Sequence, residues 1–135
     1  MTGRMIRILL ASFSEGHGQE LWQTARNIRD AGSEAIYTEA TKPEVIVHSA
    51  IQESVDWIAV AASPGVDLDL FRRLFEVLRK EEAGDILVTA SDDLTEADRS
   101  LLTAMGVLSF FPLRGSHEDI VLWIREHLKD ETPSP

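Results

Sequence analysis

Cysteine is absent from the 135 residues. Disulfides, thiolate nucleophiles and cysteine-held zinc or iron-sulfur clusters are therefore excluded, which accords with a cytoplasmic protein. Cationic side chains are scarce: 13 Lys and Arg stand against 23 Asp and Glu, a formal net charge of -10. Such a balance argues against a sequence-independent grip on nucleic acid, which needs clustered basic residues facing phosphate. Arg72, Arg73, Arg79 and Lys80 do share one segment, but the run reads as the solvated face of a helix. Long apolar runs are missing too. Nothing approaches the ~20 continuous apolar residues of a membrane span, and the opening MTGRMIRILL has too short an apolar run for a secretory signal. The expectation is a soluble, cytoplasmic protein with neither a membrane nor a nucleic-acid partner.

What is present is a repeated pattern. Short apolar runs at 6–11, 35–37, 57–61, 86–90 and 107–111 alternate with amphipathic stretches at about 19–31, 43–54, 67–83, 95–104 and 116–129. Runs this short between helices favour parallel strands buried on both faces. The helices carry their own signals. Ala31-Gly32 closes the first, Pro43 opens the second, and Leu68, Phe71, Leu74, Phe75 and Leu78 stripe the third. Thr95-Glu96 opens the fourth, Gly106 stops it, and Ile120, Val121, Ile124 and Leu128 stripe the fifth. The length suits one domain over 1–129, with the polar tail DETPSP at 130–135 expected to be disordered.

Five βα units with tight connections predict an α/β fold: a flavodoxin-like, doubly wound five-stranded parallel sheet in the order 2-1-3-4-5 with helices on both faces. In that order strands 1 and 3 flank the switch point. A ligand then gathers over the loops at 12–18, 61–66 and 91–94, and the first of these holds Ser14, Glu15, Gly16, His17 and Gly18.

Several chemistries can be tested against these loops. A phospho-acceptor receiver needs acids after strand 1, an aspartate ending strand 3 and a lysine after strand 5. Here strand 3 ends in Ala61-Ala62 and strand 5 runs into Phe111-Pro112, so that reading fails. A flavodoxin-like protein would cradle the flavin phosphate on a first loop such as Ser12, Ser14, Gly16 and Gly18, but the later loops ASPGVD and SDDL offer no stacking aromatics. A hydrolase would need a nucleophile elbow, and Ser12 and Ser14 lie on none.

A fourth reading rests on resemblance. Strand 1 followed by Glu15-Gly16-His17-Gly18-Gln19-Glu20 resembles the Asp-x-His-x-x-Gly opening of the cobalamin-binding domain, or small subunit, of adenosylcobalamin-dependent acyl-CoA mutases of the methylmalonyl-CoA mutase type. The likeness continues through RDAGSEAIYTEATKPEVIVHSAIQESVDWIAV, GVDLDLFRRLFEVLRKEEAGDILV and LLTAMGV, and so covers nearly the whole chain. It implies a subunit that carries adenosylcobalamin to a separate substrate-binding barrel subunit and is not catalytic alone. His17 would be the lower cobalt ligand, replacing the cofactor's own base. Glu15 would accept the other ring N–H, which fixes the tautomer and raises basicity. Gly16, Ser63, Ser91 and Asp92 would complete the cofactor-binding set.

The departures from the family pattern fall in these same loops. The motif's final glycine, which leaves room for the displaced nucleotide tail, is Glu20. The family's Ser-x-Leu after strand 3 aligns with Ala61-Ala62-Ser63, its Gly-Gly after strand 4 with Ser91-Asp92, and its turn after strand 5 with residues 111–115. An alternative therefore stands beside the first reading: a relative that has given up cobalamin and serves as a binding or assembly module. The remaining conspicuous residues have plainer readings. Trp22, Trp57 and Trp123 suit core or partner-facing packing, and His48, His117 and His127 have no companions at metal-ligand spacing.

Overall fold

The computed structural model describes residues 6–13, 17–113 and 116–128. Five strands, β1 (Arg7–Ser12), β2 (Glu34–Tyr37), β3 (Trp57–Ala61), β4 (Leu87–Ser91) and β5 (Phe110–Phe111), alternate with five helices. These are α1 (Gly18–Asp30), α2 (Pro43–Gln52), α3 (Asp69–Lys80), α4 (Glu96–Met105) and α5 (His117–Leu128). All strand pairs are parallel and the order is β2-β1-β3-β4-β5, as the alternation predicts. Ile8 sits beside Ala35 on one side and Trp57 on the other, which makes β1 a central strand flanked by β3 at the switch point.

The period of two along each strand divides the apolar residues between two cores. Leu9, Ala11, Ile58, Val60, Val88 and Ala90 face α2, α3 and α4, meeting Ile46, Leu74 and Leu102. Ile8, Leu10, Trp57, Ala59 and Ala61 face α1 and α5, meeting Leu21, Ala25, Ile28, Ile120 and Trp123. Trp57 and Trp123 stack with centroids 4.2 Å apart, and the Trp57 indole N–H donates to Thr89 Oγ1 at 2.7 Å, satisfying the one polar atom this large ring buries.

Several boundaries differ from the sequence expectation, each for a local reason. α2 and α3 stop short of 54 and 83 because Ser54 and Glu82 adopt positive φ, 53° and 58°, which breaks the helical ladder. At the start of α3, Leu70 and Phe71 donate to Asp67 and Leu68, so that turn is tighter than α-helical. β5 is two residues rather than five, although Leu108 N still donates to Val88 O and Ala90 N to Ser109 O just before it. Among the described residues no helix is long and apolar enough to cross a membrane.

Candidate functional site

The site lies where the carboxyl ends of β1 and β3 meet the start of α1. Phe13, one residue beyond β1, fastens the loop to its neighbours. Its N–H donates to Ala61 O at 3.3 Å, and its ring meets Phe71 edge-on at 4.8 Å. His17 then occupies the position just before α1, its carbonyl accepting from Leu21 N at 2.9 Å. Gly18 follows, where an added Cβ would lie 3.3 Å from the Tyr37 hydroxyl; a side chain there would crowd β2.

Although it sits in a loop, His17 is only 5% exposed. Nδ1 lies 3.3 Å from Glu20 Oε1 and Nε2 lies 3.0 Å from Ser63 Oγ. A carboxylate can only accept, so Nδ1 donates in this pairing; with the ring neutral, Nε2 presents a lone pair that the Ser63 hydroxyl donates to. That is the tautomer in which a histidine ligates a metal through Nε2. Ser63 is held by its own turn: Val66 N donates to Ser63 O at 3.0 Å across Pro64 and Gly65, with Gly65 at φ 93°. Proline followed by a left-handed glycine is the pattern of a type II turn.

The other sequence-predicted residues are placed differently. Ser91 ends β4, fully buried, and its hydroxyl is committed to the neighbouring strand: it accepts from Ala62 N and donates to Ala62 O, both at 3.0 Å. Asp92 is exposed, and partial desolvation holds its carboxyl above the ordinary aspartate value against the lowering effect of the Leu113 N–H. Its cost is thus smaller than that of a buried, unpaired acid. Glu15 and Gly16 lie outside the described residues. Of the tryptophans, Trp57 and Trp123 are core, whereas Trp22 is 53% exposed on α1 with the Arg26 guanidinium 5.1 Å from its ring centroid.

Three residues of the site escaped sequence reasoning. Glu20, read as an intruder in a groove, is the carboxylate that meets His17; the signal was its spacing of three from the histidine across the helix start. Thr24, one turn further on, donates to Glu20 O at 2.9 Å and to Leu113 O at 3.2 Å, and so ties α1 to the segment after β5. Leu113 itself is buried. No sequence signal marks that long-range contact.

Chemically, the arrangement offers one imidazole with its far nitrogen anchored on a carboxylate and its near nitrogen covered by a hydroxyl. Among the described residues no group of three or more His, Cys, Asp or Glu is placed to hold a metal ion. One imidazole nitrogen is a single donor, which would suit a metal whose other donors come from a cofactor rather than from the chain. The packing beneath it fits a nucleotide tail poorly: Glu20, Thr24 and Leu113 close the way between α1 and the sheet.

The chain is 38% identical to the 2-hydroxyisobutanoyl-CoA mutase small subunit of Aquincola tertiaricarbonis over 104 residues, 76% of either chain. It is 34% identical to the pivalyl-CoA mutase small subunit of Xanthobacter autotrophicus over 121 residues, 87% of this chain and 80% of that one. No protein-family profile matches. In structure it resembles the chemotaxis protein CheY4 of Vibrio cholerae, with 13% identity, a TM-score of 0.67, and coverage of 92% of this chain and 99% of that one. A response regulator from Desulfuromonas acetoxidans is similar, with 22% identity, a TM-score of 0.68, and coverage of 92% and 97%. At these identities the structural likenesses speak to the fold alone, and β3 here ends in two buried alanines where a receiver needs its phospho-acceptor.

Proposed function

Because the chain belongs to the family of acyl-CoA mutase small subunits, we propose that it assembles with a large, separate barrel subunit that binds the acyl-CoA, and that it offers His17 to the cobalt of adenosylcobalamin or a related corrinoid. One observation carries the cofactor half of this reading: a buried imidazole at the switch point has a carboxylate on Nδ1 and a hydroxyl on Nε2. When bound, the cofactor would supply radical chemistry by cleavage of its cobalt–carbon bond. The work of this chain is positioning. Glu20 holds the Nδ1 proton and so fixes the ring, and Ser63 caps Nε2 until a better partner arrives. Glu15, two residues before the histidine, is a second candidate for the Nδ1 position. Ser91 supports the site from below by locking β3 to β4 rather than by touching a ligand, and Asp92 flanks the rim. The subunit alone has no substrate barrel and is not expected to turn over acyl-CoA.

The committed Ser91 hydroxyl and the filled seam under α1 favour a second reading, assembly without a cofactor. Spectral titration separates the two. The protein is mixed with aquocobalamin and, separately, with aquocobinamide, freed of unbound corrinoid, and its absorption spectrum recorded. Retained colour with a band shift that His17→Ala removes is the expected result. If neither corrinoid is retained, the assembly-only reading stands; if the shift survives in His17→Ala, a corrinoid is carried but not through His17, and both readings are wrong.

A further inference from the structure

We infer that the described residues leave no seat for a nucleotide tail, so that this subunit takes a corrin ring at His17 with the tail left outside them. The inference rests on the proposed cofactor reading and goes beyond it by stating which part of the ligand the chain recognises.

A base displaced from cobalt by His17 could enter the protein only beside that histidine, between a helix and the sheet. On the α1 face the entrance is held by Glu20 against the imidazole, and one turn deeper the Thr24 hydroxyl reaches Leu113 O across the seam. Below that pair the gap between α1 and α5 is core: Leu21, Trp57, Phe111 and Ile120 are buried to within 1% and Trp123 to 7%. The rings there are in mutual contact, Trp57 on Trp123 at 4.2 Å and Trp123 by Phe111 at 6.0 Å. On the other face Phe13, Phe71 and Leu74 belong to one buried cluster beyond the end of β1. A groove of about 260 Å³ does exist between α2 and α3, lined by Val47, His48, Ile51 and Val77 among others, but it lies across the sheet from α1.

Filling of this kind is not undone cheaply, because an aromatic cluster at interior packing density has no alternative place to go. A partially desolvated carboxylate at Asp92 and the acid Glu20 at the entrance also disfavour a phosphodiester. The recognised moiety is then the metal and the ring edge alone.

Cobinamide, which lacks the nucleotide tail, tests this directly against cobalamin. Its lower face is free, whereas in cobalamin the tethered base competes with His17 at high effective concentration. With no compensating tail site, cobinamide should bind more tightly by about tenfold or more. Both are titrated into the wild-type protein and His17→Ala, with absorption spectra and retention on a desalting column as readouts. Tighter, His17-dependent binding of cobinamide supports the inference. Cobalamin binding as tightly as cobinamide, with its own base displaced, overturns the inference while upholding cofactor carriage. Retention of neither overturns carriage itself, and the inference with it. The comparison needs no core variant. Glu20→Gly, which also removes the Nδ1 partner of His17 and so weakens both corrinoids alike, is read by the ratio of the two affinities: if it brings cobalamin level with cobinamide, the seam below was open and the inference fails.

Discussion

A histidine in a short polar loop was visible in the sequence as the centre of the site, but its partners were only half visible. Residues three apart across a helix start are neighbours by geometry, so the Glu20 contact was recoverable from spacing. Ser63, 46 residues away, reaches His17 only because β1 and β3 are adjacent in the sheet; no local pattern encodes that. Asp92 shows the limit of reasoning by alignment. It aligns with a glycine of the family's pair, which places it in the cofactor-binding set, whereas the chain turns its side chain to the surface and leaves a partial desolvation. Desolvation raises its pKa first, the Leu113 N–H opposes it, the Asp93 charge adds to the rise and Arg99 lowers it. An acid whose folded pKa lies above its unfolded value costs nothing when both states are protonated and destabilises the fold as pH climbs through the folded value. Asp92→Asn, which keeps an acceptor for Leu113 N, should therefore raise Tm at pH 7 by about 1–2 °C, in keeping with a small surface contribution. The gain should vanish below about pH 4, where unfolded aspartate is itself protonated. Thermal melts of both proteins across pH check the sign, and a gain that persists at low pH would show a cause other than the charge.

At the scale of elements, strand and helix existence followed from periodicity, while their ends followed from backbone conformations that periodicity does not reveal. Gly106 was legible as a helix stop, and the reason is now specific. It closes α4 at φ 123°, its N–H donating to Leu102 O and Thr103 O at 3.1 Å, and an added Cβ would lie 3.3 Å from Phe75 Cε1. Both terms oppose any side chain. Gly106→Ala should lower the unfolding free energy by on the order of 1–2 kcal/mol. Urea titration would show this as a lower midpoint with an unchanged slope; an unchanged midpoint would mean that α4 ends elsewhere. Ser54 and Glu82 are the converse case. Neither residue advertises a left-handed conformation, and so the second and third helices read too long in the sequence.

The whole molecule joins a receiver-like architecture to a mutase small-subunit sequence, and the two facts constrain different things. Fold similarity at 13% to 22% identity reports only that βα alternation closes into the same sheet. Sequence identity of 34% to 38% spread over most of the chain reports something more, because it extends through helices and strands that lie far from the first loop. If shared surface rather than shared cofactor chemistry maintains that likeness, association with a large subunit should be separable from His17. The histidine is 5% exposed and both ring nitrogens are engaged within the chain, so its removal leaves the outer surface nearly unaltered. His17→Ala should then co-elute with the proposed large subunit in gel filtration to the same extent as the wild type, within about twofold in apparent affinity, since interface energy resides in residues that touch the partner. Loss of the complex in the folded variant would place His17, or the ligand it holds, inside the interface itself, and assembly and cofactor uptake would have to be treated as one coupled event.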